Sequence, residues 1–485
     1  MNPRIKQWWQ EQWPFWVSGL AVGGAEVLYY ARYHTIITFT TSLGKMFAGV
    51  EKLLFPTRFL SRAFEPDINW VLLGVFLGGF LVALAEREFR SWVKYDRRAL
   101  IFAFSGAVLF SFGTRLAGGC TTRYVLGGLA AMNVASFVVA LLMFVSGMLA
   151  FGLYARMGLA HLFKPQENRW YAVQAREFGL AHDASVLDEG YHPRSDPWRI
   201  TLLAFLSLFL ILLGVGAVRS DWPHGLRSLG VGEIFYLLLV GIIAGIGIGK
   251  TGFGTDCALL TPEFRRTMAN REELLLKLRM NYLTRNFFLG MFPFTAVLLA
   301  VVLLNVAILF GWLAGGIPLP ASSEPWDYLN WGHIAGAVLM SFGSVFMLGC
   351  EIRNYARLGL GYSTALAALP GFLVGYLPYV GFKETLDAWT FGHPLLGFTS
   401  LPLLVSGKWG QIGISFLYTL LLIVLLAVSM RIGVKGLGLS CSEVNSMAVD
   451  RLMLKKMLRG HSVLEWEEER SNQRERVLSR GKRKE

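Results

Sequence analysis

Apolar runs of about 20 residues recur along almost the whole chain, and this feature leaves few folds open. A run of about 20 apolar residues is the length that an α-helix needs to cross the hydrocarbon core of a bilayer. Only 16% of the 485 residues are charged, whereas a soluble protein has about 25%. The sequence therefore predicts an all-α polytopic membrane protein. It excludes a soluble enzyme, a disordered chain and a disulfide scaffold.

The positions of Lys and Arg predict how the chain is oriented in the membrane. Of the connections between apolar segments, 262–285 carries six such residues and the stretch from 432 carries twelve, while 313–331 carries none. Because cytoplasmic loops carry the excess of Lys and Arg, both termini are predicted to face the cytoplasm. The net charge of +13 follows from this bias, so nucleic-acid binding is not predicted. The ten predicted transmembrane helices are 13–31, 68–86, 100–117, 130–155, 199–218, 232–249, 286–312, 332–349, 360–379 and 411–431.

The apolar segments also divide the chain into four predicted parts. Residues 1–67 form a transmembrane helix followed by an amphipathic interfacial segment at 35–56. No small-residue cleavage site follows the first apolar run, so we interpret it as a helix and not as a removed signal peptide. Residues 68–198 form a first transport repeat with a cytoplasmic loop, 199–431 a second repeat, and 432–485 a charged cytoplasmic tail.

An internal repeat marks the centre of each transport unit. Residues Gly106–Cys120 align without gaps to Gly336–Cys350, with nine of fifteen positions identical, including the final Gly-Cys. In the predicted topology the first copy runs outward and the second inward, which is the inverted-repeat architecture of many transporters. The alternative, two unrelated helices that share small residues by composition, is disfavoured by so many identities.

Each copy is followed by polar, glycine-rich sequence, at Thr121–Gly128 and at Glu351–Gly361. Such backbone cannot face lipid, because its N–H and C=O groups would lack partners, so helix breaks lining a pore are predicted. A third break is predicted in Gly245–Pro262, where helix packing is the alternative role of the glycines. Three of the four cysteines lie at these places, Cys120, Cys257 and Cys350, while Cys441 follows the last span.

These motifs resemble the YeeE/YedE family of bacterial inner-membrane sulfur-compound transporters. The matching residues are Gly-Gly-Cys-Thr at the first break, Gly-Phe followed by Cys-Ala-Leu, and Gly-Cys followed by Arg357-x-Gly-x-Gly. Characterised family members take up thiosulfate, and the resemblance implies the same activity here without enzymatic catalysis. It also implies a TusA-like cytosolic sulfur-carrier protein as partner. The implied permeation residues are Cys120, Thr121, Cys257 and Cys350.

One departure from the family leaves the substrate open. Where family members often have Ser-Gly-His after Gly-Cys-Thr, this chain has Thr122-Arg123-Tyr124, so other sulfur or selenium compounds stay alternatives. Arg123 and Arg357 are predicted to contact the anion, with Arg115 and Lys250 as further compensating cations. Arg353 is expected to pair with Glu351, and Asp256 is a second candidate partner for the arginines. No metal or cofactor is predicted, because the cysteines form no CxxC and no Cys/His cluster.

The chemistry of buried thiols favours a relay over catalysis. Burial disfavours the thiolate, and a neutral S–H group is a weak, polarisable donor that binds an anion loosely enough to release it. One alternative is a membrane sulfurtransferase or thiol oxidoreductase with a nucleophilic cysteine, which usually needs a nearby base. Another is a membrane scaffold or receptor for a cytosolic partner, resting on the charged tail.

The membrane potential opposes uptake of a dianion by about 2.3 kcal/mol per charge per 100 mV. Inward movement therefore needs a large concentration gradient, removal of sulfur inside, or co-transport of protons. The sequence leaves these three alternatives open.

Overall fold

The computed structural model describes residues 13–39, 41–55, 59–85, 95, 97–157, 197–219, 222–225, 228–251, 282–319, 327–437 and 440–446. This part of the chain consists of helices and the turns that connect them. The first seven helices are α1 (Phe15–Tyr33), α2 (Ser42–Leu54), α3 (Trp70–Ala85), α4 (Arg97–Ala117), α5 (Val134–Arg156), α6 (Pro197–Arg219) and α7 (Val231–Thr251). The later ones are α8 (Tyr282–Gly315), α9 (Trp331–Phe346), α10 (Glu351–Leu360), α11 (Ser363–Gly381), α12 (Lys383–Phe391), α13 (Lys408–Leu437) and α14 (Cys441–Ser446).

Each of the ten predicted apolar segments contains a helix, and the lengths of these helices differ. Among the described residues, six helical stretches are long and apolar enough to cross a membrane. They lie in α4, α7, α8, α11 and α13 and in the combined stretch of α9 and α10. Apolar helices of fewer residues lie in α3, α5 and α6. The chain is therefore a multi-pass membrane protein.

Helices α3 and α7 pack against each other in parallel through two pairs of glycines. Gly74 meets Gly241 and Gly78 meets Gly245, and a β-carbon added to Gly74 or Gly78 would lie 2.8 Å from the opposite Cα atom. Small residues four apart let transmembrane helices approach this closely. Within the segment Gly245–Pro262, where a break is predicted, α7 continues to Thr251, and Gly245 has the alternative role of packing a helix. The later part of that segment, with Asp256 and Cys257, lies outside the described residues.

Helices α1 and α8 pack in parallel in the same manner. Gly19 contacts Ala296 and Gly23 contacts Ala300, where a β-carbon added to Gly23 would lie 2.8 Å from the Ala300 Cα atom. Gly19 and Gly241 are 222 positions apart in the sequence, and so are Gly74 and Ala296. The contact of α1 with α8 thus uses positions that correspond to the contact of α7 with α3.

Helices α4 and α9, which carry the internal sequence repeat, cross in antiparallel directions at the centre. Gly106 meets Gly343 and Gly113 meets Gly336, with added β-carbons 2.5–2.9 Å from the opposite carbonyl oxygens. In the sequence repeat, Gly106 corresponds to Gly336 and Gly113 to Gly343. The contact of Gly106 with Gly343 therefore becomes the contact of Gly336 with Gly113 when each residue is replaced by its counterpart in the repeat. On the flanks, α11 packs on α4 and α5 packs on α9.

Candidate functional site

The first helix break follows α4 and ends on a buried cysteine. Gly118 has a φ of 72°, a left-handed conformation that glycine adopts without a steric penalty. The backbone N–H of Gly119 then bonds to the carbonyl oxygen of Thr114 at 3.0 Å, which closes the helix end. Cys120 follows with 0% of its surface exposed. The helix end thus positions the thiol inside the protein.

The second break repeats this geometry at the equivalent positions after α9. Leu348, the counterpart of Gly118, has a φ of 63°. The backbone N–H of Gly349 bonds to the carbonyl oxygen of Ser344 at 2.9 Å, and Cys350 is 0% exposed. A left-handed conformation costs a leucine about 1–2 kcal/mol. The fold keeps this conformation at a residue with a side chain, so the shape of the break is maintained against strain.

The backbone becomes helical again directly after each of the two cysteines. The N–H of Tyr124 bonds to the Cys120 carbonyl at 3.1 Å, and the N–H of Asn354 bonds to the Cys350 carbonyl at 3.0 Å. The first of these segments contains a π-helix at Thr122–Gly128, whereas the second is the regular helix α10. The π-helix adds one residue, so the next left-handed residue comes twelve positions after Cys120 (Met132) and eleven after Cys350 (Gly361).

Arg123, a predicted substrate contact, is bound to an acidic residue that the sequence did not single out. Its Nη2 atom lies 2.5 Å from Oδ1 of Asp327, and the side chains are 18% and 3% exposed. Asn133 donates from Nδ2 to the Asp327 carbonyl oxygen at 3.2 Å. These contacts attach the segment after the first break to the turn that precedes α9.

Arg357, the other predicted substrate contact, holds the second break. Its Nη1 atom donates to the carbonyl oxygen of Leu348 at 2.8 Å, and its guanidinium carbon lies 4.5 Å from the centre of the Tyr362 ring. Nη2 lies 3.4 Å from the hydroxyl of Tyr95. The arginine is buried and therefore supports the left-handed residue through a charge-assisted hydrogen bond.

A buried polar chain beside the first cysteine was not predicted. His333 Nδ1 accepts from the backbone N–H of Asn330 at 3.2 Å, which assigns the proton to Nε2 in the neutral ring. Nε2 lies 3.0 Å from the hydroxyl of Tyr124, and that hydroxyl donates to the carbonyl oxygen of Ala117. These hydrogen bonds give the Ala117 carbonyl oxygen, at the end of α4, a donor from the segment after the break.

The breaks also bring together two opposite charges from different halves of the sequence. Arg115 lies two residues before the end of α4, and its guanidinium carbon is 5.8 Å from the centres of the Phe64, Tyr376 and Tyr379 rings. Glu351, which directly follows Cys350, interacts electrostatically with Arg115. The expected partner of Glu351 was Arg353. Glu351 instead accepts a hydrogen bond from its neighbour one turn later, Tyr355, at 2.5 Å.

The other predicted site residues divide between described and undescribed parts of the chain. Thr121 is buried directly after Cys120, at the position that corresponds to Glu351 in the repeat. Cys257 lies outside the described residues, so the structure brings only two of the three predicted cysteines to comparable helix breaks. Cys441 is exposed at the start of α14.

A polar cavity of about 150 Å³ lies apart from the breaks, between α2, α3 and the loop before α7. Asp67 is buried there, with Oδ2 2.7 Å from His224 Nδ1 and 3.7 Å from Lys45 Nζ. Burial raises the pKa of Asp67, but the hydrogen bonds from His224 and from the backbone N–H of Ile68 outweigh it, so the pKa lies below its ordinary value. The Asp67 cluster therefore connects α2 to the turn before α3 and to the loop before α7 at neutral pH.

The described residues thus form a multi-pass helical protein with buried cysteines at two helix breaks of matching geometry. Residues 2–149 match a protein family described as "Sulphur transport". The chain is also 32% identical over 120 residues to the thiosulfate transporter TsuA of Escherichia coli (strain K12), an alignment covering 20% of this chain and 33% of the relative. The chain thus spans about a third of the length of this relative.

These matches confirm the resemblance to YeeE/YedE-type sulfur transporters that the motifs predicted. Both descriptions name transport, in agreement with the prediction of a transporter and not an enzyme. The family match includes Cys120 and ends before Cys257 and Cys350. The family match therefore includes the first of the two repeat copies.

Proposed function

We propose that this protein takes up a small sulfur oxyanion, thiosulfate before other candidates, through the centre of the helix bundle. The observation that carries the proposal is the pair of fully buried cysteines, Cys120 and Cys350, at two breaks with the same backbone geometry. Irregular backbone inside a membrane protein is tolerated where it is buried in protein or lines a substrate path. Two matched breaks, each carrying a soft and polarisable thiol, suit a soft sulfur anion.

The proposed architecture is a pair of inverted repeats related by a pseudo-twofold axis. Three observations support it: the reciprocal contacts of α4 with α9, the matching contacts of α1 with α8 and of α7 with α3, and the flanking positions of α5 and α11. A twofold axis requires that when position i contacts j, the counterpart of j contacts the counterpart of i. The contacts of α1 support counting that helix with the first unit, ahead of the boundary predicted at residue 68.

In the proposed mechanism the thiols act as neutral donors that pass the anion between them. Cys120, Cys257 and Cys350 form the relay, with Thr121 beside the first thiol. Arg123 and Arg357 remain predicted substrate contacts. Each guanidinium is a positive charge with five N–H donors, which suits it to bind an anion together with the groups that it already contacts. Weak, repeated binding is what passage through a pore requires.

The proposed setting is the bacterial inner membrane, with ten transmembrane helices, both termini in the cytoplasm, and a TusA-like carrier that accepts the sulfur. Tags near Arg97 should report the cytoplasm, and tags near Asp387 the outside. The measurement is accessibility of single cysteines or reporter fusions. A periplasmic carboxyl terminus would contradict the inverted topology.

The central test is uptake of labelled thiosulfate by cells or proteoliposomes, with sulfate, sulfite and selenite as competitors. Replacing Cys120, Cys257 or Cys350 by alanine should reduce uptake at least tenfold at normal expression. The exposed Cys441 provides the matched control, and Cys441→Ala should transport normally. Wild-type transport by all four variants would exclude the relay. If another anion inhibits thiosulfate uptake more strongly than unlabelled thiosulfate does, that anion is the preferred substrate.

A sulfurtransferase is the second candidate, because Tyr124 and His333 lie close to the first break. If the Cys120 thiolate attacked the outer sulfur of thiosulfate, the S–S bond of thiosulfate would break, sulfite would leave with the electron pair, and Cys120 would carry a persulfide. Mass spectrometry of the cysteine peptides should find no persulfide during transport. A stoichiometric persulfide on Cys120 would favour the enzymatic alternative.

A further inference from the structure

Glu351 is a carboxyl group inside the bundle that the proposed relay does not use. It is 1% exposed and lies in the apolar stretch formed by α9 and α10. Oε1 accepts the hydrogen bond from Tyr355, whereas Oε2 has no hydrogen-bond partner among the described residues. An ionisable group at such a depth is costly, and carboxyl groups kept there commonly bind protons in pumps and transporters.

The surroundings of the carboxyl come from both halves of the sequence. The titratable and charged groups that interact with it are Arg115 of α4, Tyr355 of α10 and Tyr376 of α11. The guanidinium carbon of Arg115 lies 5.8 Å from the centre of the Tyr376 ring. Glu351 directly follows Cys350, and Arg115 lies five positions before Cys120.

Arg115 and Glu351 are charges that the internal repeat does not duplicate. The counterpart of Arg115 is Val345, and the counterpart of Glu351 is Thr121. These two unmatched charges nevertheless interact with each other across the pseudo-symmetric centre. Because neither charge has a charged counterpart in the repeat, the symmetry of the fold does not explain them. Their interaction near the cysteines indicates that the two charges act together.

We propose that Glu351 binds one proton for each anion that crosses, so that the protein is a proton-coupled symporter. When Glu351 is ionised, it compensates the charge of Arg115. When a proton neutralises Glu351, the net charge beside the thiols becomes more positive by one, which favours binding of an anion there. Proton binding and anion binding therefore favour each other, as linkage requires. Movement of the loaded site inward and release of both ions then return Glu351 to its pair with Arg115.

This inference rests on the proposed function and addresses what moves the anion inward. An inside-negative potential of about 100 mV lowers the equilibrium accumulation of an anion about 50-fold for each charge. One accompanying proton removes one of the two charges of a dianion and adds the pH gradient as a driving force. With the potential held at zero, one proton per anion predicts about tenfold more accumulation for each pH unit of outside acidity.

The test uses proteoliposomes with the full chain, valinomycin and equal potassium on both sides, labelled thiosulfate, and a pH dye inside. Wild-type vesicles should accumulate thiosulfate about tenfold per pH unit, and the lumen should acidify as thiosulfate enters. Glu351→Gln should still exchange labelled for unlabelled thiosulfate, but with neither accumulation nor acidification. The matched control is Glu26→Gln in α1, a buried carboxyl whose Oε2 atom accepts from the N–H of Ile37. It should behave as the wild type.

A second variant keeps the carboxyl and guards against misfolding of the first. Tyr355→Phe removes a hydrogen bond to the ionised form of Glu351, so the pH of half-maximal uptake should move upward while gradient-driven accumulation remains. An unchanged pH profile would contradict the assignment of Glu351 as the proton site. Thiosulfate uptake by the wild type without acidification would overturn the symport and leave the proposed function intact. Absence of wild-type uptake of every anion tested would overturn both.

Discussion

The closest helix contact in the centre makes a quantitative prediction about Gly343. A β-carbon at this position would lie 2.5 Å from the carbonyl oxygen of Gly106 and 2.6 Å from the N atom of Phe110, where ordinary contacts begin at 3.4 Å. Both opposing atoms are backbone, so relief requires α4 and α9 to separate by nearly an ångström. Overpacking of this kind costs about 1–3 kcal/mol. Alanine regains at most about 1 kcal/mol in helix propensity. Gly343→Ala should therefore destabilise the protein.

The matched control for this prediction is Gly413→Ala in α13. No atom lies within 4 Å of an added β-carbon there, so only the gain in helix propensity remains. The assay is the temperature at which detergent-solubilised protein loses its monodisperse size-exclusion peak. Gly343→Ala should lower this temperature by several degrees, whereas Gly413→Ala should leave it equal or raise it. If both variants are equally stable, the close packing of α4 on α9 is not as described.

Three further changes test individual contacts. Asp67→Asn should destabilise the protein by about 1–3 kcal/mol at pH 7, and the difference from wild type should shrink as the pH falls below about 4. Because the pKa of Asp67 is lowered, its interaction with His224 stabilises the fold fully at pH 7 and is lost as the carboxylate is protonated at acid pH. Thermal scans at pH 7 and below about pH 4 can measure this difference. Arg123→Gln should lower stability by about 1–3 kcal/mol, because the buried carboxylate of Asp327 loses this charge-assisted contact, and adding Asp327→Asn should restore part of the loss of thermal stability. Gly118→Ala should cost about 1–2 kcal/mol, since its φ of 72° is left-handed; an unchanged melting temperature would exclude this strain.

The helices and the paired breaks could be predicted because their signals are local in the sequence. The apolar runs predict α4 and α9, and the repeated Gly-Cys predicts where both helices end. The role of the glycines of α7 stayed open, since a glycine that packs a helix and a glycine that ends one have the same local sequence. The contact with α3 distinguishes them, and it depends on a segment far away in the chain.

The pairings of charged residues at the site could not be predicted for a related reason. Arg353 follows Glu351 by two positions, so sequence proximity favoured that pair. Residues two apart on a helix point in different directions, whereas Tyr355, four positions on, lies on the same face. The electrostatic interaction of Arg115 with Glu351 joins two distant parts of the sequence, so no local signal indicates it. The acidic partner of Arg123 likewise lies in another connection, for which the sequence holds no local signal.

The π-helix after Cys120 makes the two breaks inequivalent. Its wider turn absorbs one additional residue, so the side chains of Thr122–Gly128 are oriented differently from those of α10. In the proposed inverted architecture, an anion arriving from outside and one arriving from inside therefore meet differently oriented side chains, although the backbone breaks match. Half-saturating concentrations should thus differ between right-side-out and inside-out vesicles. An inhibitor fitted to one face should act from that face alone.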